Sequence, residues 1–96
     1  MKASEFSAEL LKLGKRIKQL RKHRKLRLLD LEILSKINDS DISRYEQGKE
    51  NIEFQTIFKL AKALDVEVKV LLDYDGPLPD NIDFKGLGKK ENRKRK

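Results

Sequence analysis

Three residues, Lys36-Ile37-Asn38, separate two short segments of helical pattern, and this connector constrains the fold more than any other stretch. Before it, "LRLLDLEILS" (26–35) is apolar-rich, with Leu28, Leu31 and Leu34 or Ile33 able to share one face. It predicts a two-turn helix over 28–35. After it, Asn38 suits an N-cap, because its side-chain oxygen can accept from the N–H groups of the next turn. Asp39 and Asp41 fall in that turn, where the positive end of the helix dipole favours carboxylates by about 0.3–1 kcal/mol each. Gly48 can take the left-handed conformation that stops a helix. The second helix is therefore expected over 39–47. So tight a connection forces two short helices to meet at a steep angle, and the second one protrudes.

The flanking chain supplies the helices that such a pair needs for a core. Phe6, Leu10, Leu13, Ile17 and Leu20 recur at steps of four and three, which predicts a helix from Phe6 to about Arg24, with Ser4 or Ser7 as its cap. Lys12, Lys15, Arg16, Lys18, Arg21 and Lys22 lie between them and read as a polar face. Ile57, Leu60, Ala61 and Leu64 form a stripe on a helix starting near Phe54, and Val66 is expected to be buried after it. Glu67 to Leu72 predicts a last short helix. "VEVKV" also alternates as a strand would, but no partner strand is visible. The expected fold is all-α: a compact five-helix domain over 1–75, with the paired helices at about 28–47. Both prolines and a basic end follow, which predicts a flexible basic tail over 76–96 in which Leu78, Ile82 and Phe84 could dock.

Charge narrows the function. The net +7 divides into +8 over residues 1–27, −4 over 28–73 and +3 over 74–96. Nine basic and no acidic side chains lie between Lys12 and Arg27, and their mutual repulsion would be relieved by a polyanion such as nucleic acid. With no cysteine and a single histidine, His23, the chain offers no disulfide framework and no metal cluster. Ser40 and Ser43 have no histidine base nearby in sequence, and no glycine-rich phosphate loop occurs, so no catalytic site and no cofactor are expected. No apolar run approaches a membrane span, so the expectation is a cytoplasmic protein without a membrane partner.

Three fragments, "GKRIKQLR" (14–21), "ISRYEQGKEN" (42–51) and "TIFKLAKALDV" (56–66), stand in order and at matching gaps. In these the chain resembles the Cro/repressor-type (XRE-like) helix-turn-helix family from about Leu13 to Asp73. The resemblance implies a lambda-repressor-like fold in a bacterial or phage DNA-binding regulator, associated with the nucleoid. It also implies a homodimer on a palindromic stretch of double-stranded DNA. Carried over by position, Arg21 and Glu46 form a buried ion pair, and Asp39, Ser40, Ser43 and Arg44 face base edges. Arg27, Gln47, Lys49 and Asn51 hold phosphates, while Ile52, Val68 and Val70 meet the partner subunit. The chain departs from the family pattern at Leu28, where Gln is common, at Glu32, where Ala is common, and at Lys36, where Gly is common. Glu32 is expected to tilt outward or to pair with Lys36, and the turn at Lys36 to differ slightly. The acids Asp39 and Asp41 also leave open a second reading, an antitoxin or protein-interaction module with a partner such as a toxin.

Overall fold

The computed structural model describes residues 2–80. Five helices follow in order: α1 (Ala3–His23), α2 (Leu28–Ser35), α3 (Asp39–Glu46), α4 (Phe54–Ala63) and α5 (Val68–Leu72). Among the described residues there is no strand, so "VEVKV" resolves as the start of α5. Helix α1 packs on α3 and α5, while α2 packs on α3 and α4. Ile17, Leu20, Leu31, Ile42, Leu60, Leu64 and Leu71 are fully buried and draw on every helix or its cap, so one core ties the five together. Each such side chain stabilises the fold by roughly 1.5–3 kcal/mol through burial alone.

Four of the helix ends share one device. Lys25, Lys36, Gly48 and Asp65 have φ of 62°, 65°, 72° and 59°, and each closes one of α1 to α4. After α1, α3 and α4 the chain folds back through a six-residue bond: Leu26 N to Arg21 O at 3.0 Å, Lys49 N to Arg44 O at 3.0 Å, and Val66 N to Ala61 O at 2.9 Å. These bonds satisfy carbonyls that the helix leaves open, and they let each chain reversal be short. Lys36 therefore adopts the left-handed geometry that a glycine would take more cheaply, and the turn is kept despite the side chain.

Helix α1 differs from its sequence reading at its start and along one side. It starts at Ala3, where Glu5 accepts from the Lys2 backbone N–H at 3.0 Å, in place of a cap by Ser4 or Ser7. Leu13, Ile17 and Leu20 are buried and Leu10 is half-buried, but residues 3–9 are exposed, Phe6 at 38%. Among the described residues, the stripe runs on past the elements that cover it. The basic residues of α1 and its cap split by type: Lys12, Lys15, Lys18, Lys22 and Lys25 are exposed, whereas Arg16, Arg21 and Arg24 are buried. Arg16, at 2% exposure, donates to Val70 O from Nε (3.2 Å) and Nη2 (3.0 Å), and to Gln19 Oε1 at 2.8 Å. It also donates to Gly76 O at 3.3 Å and Pro77 O at 3.2 Å. Arg24 donates to Leu64 O at 2.9 Å, Asp65 O at 3.1 Å and Asp80 O at 2.6 Å. Burial lowers its pKa, and the Asp65 charge opposes that.

Residues 76–80, expected to begin the free tail, are instead strapped along α1 by these arginines and by His23, whose Nε2 lies 2.8 Å from Pro79 O. His23 is thus half-buried and engaged rather than solvent-facing. Leu78 is 40% exposed, and Ile82, Phe84 and the basic end fall outside the described residues. On α2 only Leu31 is fully buried; Ile33 is 64% exposed and Leu34 39%. Val66 is half-buried.

Candidate nucleic-acid interface

Helix α3 is held at both ends by groups outside it. At its start the Asn38 side chain accepts from Ser40 N at 2.9 Å and is also in contact with Ser40 Oγ. Glu32 Oε1 accepts from Asp39 N at 2.8 Å, so the acid of α2 neither tilts outward nor pairs with Lys36. At its end Arg21 forks onto Glu46, Nε to Oε2 at 2.7 Å and Nη2 to Oε1 at 3.0 Å, and its Nη1 donates to Leu26 O at 2.9 Å. Both side chains are less than a tenth exposed. A bidentate fork at this burial fixes position as well as charge. Gly14 of α1 makes the approach possible: a Cβ there would lie 2.3 Å from Tyr45 O and 2.6 Å from Glu46 O. Ile42 anchors the middle of α3 in the core.

The side of α3 opposite Ile42 and Glu46 faces outward. Of the residues expected at base edges, Ser40 and Arg44 are exposed on that side, whereas Asp39 and Ser43 are half-buried and lie nearer its buried edge. Arg44 lies between two carboxylates: its Nη2 contacts Asp41, and its Nε is 3.0 Å from Glu50 Oε2. Asp41 therefore does more than complement the helix dipole. Partial burial, with the Asp41 and Glu50 charges beside it, pushes the Tyr45 phenol above its ordinary pKa. Gln47 is exposed, and its amide donates back to Ser43 O at 3.1 Å and Ser43 Oγ at 3.0 Å. Lys49 and Asn51 are exposed on the loop after α3. Arg27, exposed at the start of α2, is held by Asp30 through Nε at 3.1 Å and Nη2 at 2.9 Å, and the hydrogen bond and charge of Asp30 raise its pKa.

Sequence reasoning did not identify Glu32 as a cap for α3 or Glu50 as a partner of Arg44. The Asp41–Arg44 pair and the Arg27–Asp30 pair stand at i,i+3, a spacing that brings side chains together on a helix. Of the residues expected at a subunit interface, Val68 and Val70 are half-buried, whereas Ile52 is 7% exposed and packs in its own core. The exposed apolar side chains near it in sequence are Phe54 (64%) and Phe58, with Lys62 Nζ 5.8 Å from the Phe58 ring centre.

A two-helix unit with a tight left-handed turn, a second helix pinned at both ends and an outward polar face is the architecture of a DNA-reading helix-turn-helix. A family profile described as helix-turn-helix domain matches residues 14–76, and the chain belongs to that family, whose members are DNA-binding transcription regulators and not enzymes. It is similar to the crystal structure of the restriction-modification controller protein C.AhdI from Aeromonas hydrophila. The two are 38% identical with a TM-score of 0.65, over 67% of this chain and 97% of that one. Among curated proteins none matches. Among the described residues no helix is long and apolar enough to cross a membrane.

Proposed function

We propose that this chain is a sequence-specific regulator of the Cro/repressor type that lays α3 in the major groove. The observation that carries the reading is the outward polar face of a helix held rigid by the buried Arg21–Glu46 fork. In this reading Arg44 reads guanine, Asp39 accepts from cytosine N4, and Ser40 and Ser43 complete the selective face. Phosphates fall to Arg27, Gln47, Lys49 and Asn51, with the exposed α1 lysines adding long-range attraction. The similarity to a restriction-modification controller supports regulation of that kind, acting on DNA in the cytoplasm of a bacterium or phage host.

The homodimer on a palindrome belongs to the same proposal. Its surface is the start of α4 with α5: exposed Phe54 and Phe58, half-buried Val68 and Val70, and Leu72 at 38% exposure give two such elements an apolar face to share. The test is in vitro selection of duplexes, then titration of the selected site at several salt concentrations. The reading expects a preferred, two-fold symmetric site and a steep negative slope of log affinity against log salt. Binding without sequence preference would overturn it. One observation favours a protein-interaction role alongside: Leu29 and Ile33, one turn apart on α2, are 47% and 64% exposed. A toxin-like partner on that face would lose affinity in Leu29→Lys, which leaves DNA binding intact.

A further inference from the structure

The recognition helix carries its most capable base-reading side chain already engaged. Arg44 is held from two elements: Asp41, one turn earlier on α3, and Glu50, on the loop after it. A guanidinium has five N–H donors. Asp41 takes one on Nη2, and Glu50 lies against Nε as an ion pair rather than as an aligned hydrogen bond. Both hydrogens of Nη1 and one of Nη2 are left, so the end of the fork keeps a donor on each terminal nitrogen. Two adjacent donors of this kind match guanine O6 and N7.

We propose that Asp41 and Glu50 are positioning residues for sequence selection: they buttress Arg44 so that the end of its fork points outward, and they mask its charge from phosphates. The proposal rests on Arg44 being a base reader and names what makes it selective. The magnitudes favour such a division. Immobilising a long side chain on binding costs a factor of about 2 to 13, and a side chain already held is spared part of it. An exposed ion pair is worth a factor of at most about five, so two reach about 25, and neither has to break for the end of the fork to meet a base. A bidentate guanine contact discriminates by a factor of about 5 to 150. On mismatched DNA the balance reverses. One cation and two anions carry a net charge of −1, and this cluster repels a backbone that an unmasked arginine would attract. The arrangement therefore weakens random binding while it strengthens the right site.

The experiment uses the full chain, a duplex selected from a random pool by the wild-type protein, and a scrambled duplex of the same composition. The ratio of the two Kd values is measured by fluorescence anisotropy for wild type, Asp41→Asn/Glu50→Gln, Arg44→Ala and the triple variant. Glu67→Gln, an exposed acid on another element paired with Lys69, serves as the charge control. The double variant is expected to lower the ratio about tenfold, mostly through tighter binding to the scrambled duplex. In the Arg44→Ala background the same two substitutions should shift both duplexes equally and leave the ratio unchanged, as should Glu67→Gln. A double variant that keeps the wild-type ratio would overturn the proposal. So would a fall of equal size without Arg44, or with Glu67→Gln, since either means general repulsion. If Arg44→Ala alone leaves the ratio at its wild-type value, the base-reading role itself fails, a different outcome from failure of the buttress.

Discussion

Glu32 of α2 accepts a 2.8 Å hydrogen bond from the backbone N–H of Asp39, the first residue of α3. The first helix of the pair thus caps the second, across a turn whose left-handed residue is Lys36. An acid that looks misplaced in the packing seam satisfies one of the N–H groups that a helix start leaves open. Asn38 satisfies the next at Ser40, so the two caps share the work without competing.

Glu32→Ala is expected to destabilise the protein by about 1 kcal/mol, the usual value of a lost cap. That lowers the melting temperature by roughly 4–8 °C in a domain of this size. Glu32→Gln keeps an acceptor and should fall by less. Thermal denaturation followed by circular dichroism checks both, and equal losses would show that charge rather than capping matters.

Lys36→Gly relieves the left-handed strain at the turn. An L side chain in this region costs roughly 1–2 kcal/mol, part of which glycine returns through its freer unfolded state. The expected outcome is a rise in melting temperature with α3 unmoved, so DNA affinity at the selected site stays the same.

Glu46→Ala leaves Arg21 buried beside α3 without its carboxylate. The expected loss is about 3–5 kcal/mol, measured by urea denaturation. The double variant Arg21→Met/Glu46→Leu should recover much of that, because an apolar pair of similar volume avoids the stranded charge. Recovery of stability without recovery of DNA binding would separate the structural role of the fork from its aiming of α3.

Gly14→Ala places a methyl 2.3 Å from a backbone oxygen at the end of α3, which cannot swing aside as a side chain would. Overpacking of this kind costs roughly 1–3 kcal/mol. Since relief requires α1 and α3 to part, affinity for the selected duplex should fall more than stability alone explains. A variant as stable as wild type but weaker on DNA would be the clearest form of this result.

Arg16→Met removes the donors to Val70, Gly76 and Pro77 while keeping apolar bulk. Limited proteolysis is expected to cut between Tyr74 and Asp80 sooner than in wild type, with the helical core still resistant. Unchanged cutting would mean that Arg24 and His23 hold the segment by themselves.

The features legible in the sequence are the local ones. Asn38 before Asp39, Gly48 after Gln47 and the leucine spacing of α1 and α4 act within a turn or two of themselves, so their patterns show in one dimension. The Arg21–Glu46 fork spans the fold, and only the resemblance to a family suggested it. The inward turn of Arg16 and Arg24 was hidden because what draws them across the fold is a set of backbone carbonyls, which every residue carries and no pattern marks. One sign was present. Along α1 and its cap every lysine is exposed and every arginine from 16 to 24 is buried, in keeping with the weaker hydration and fixed fork of the guanidinium. At the interface, Ser40 and Arg44 are exposed as helical periodicity requires, but Glu50 reaches Arg44 through a loop whose path no periodicity describes.

The strap over residues 76–80 is gripped at carbonyl oxygens, those of Gly76, Pro77, Pro79 and Asp80. Arg16, His23 and Arg24 thus recognise where the backbone runs, through oxygens that every residue carries. A segment held in this way can drift in sequence while its course stays constant. Relatives that keep these three side chains of α1 and its cap should carry the same strap even where alignment of their C-terminal letters fails.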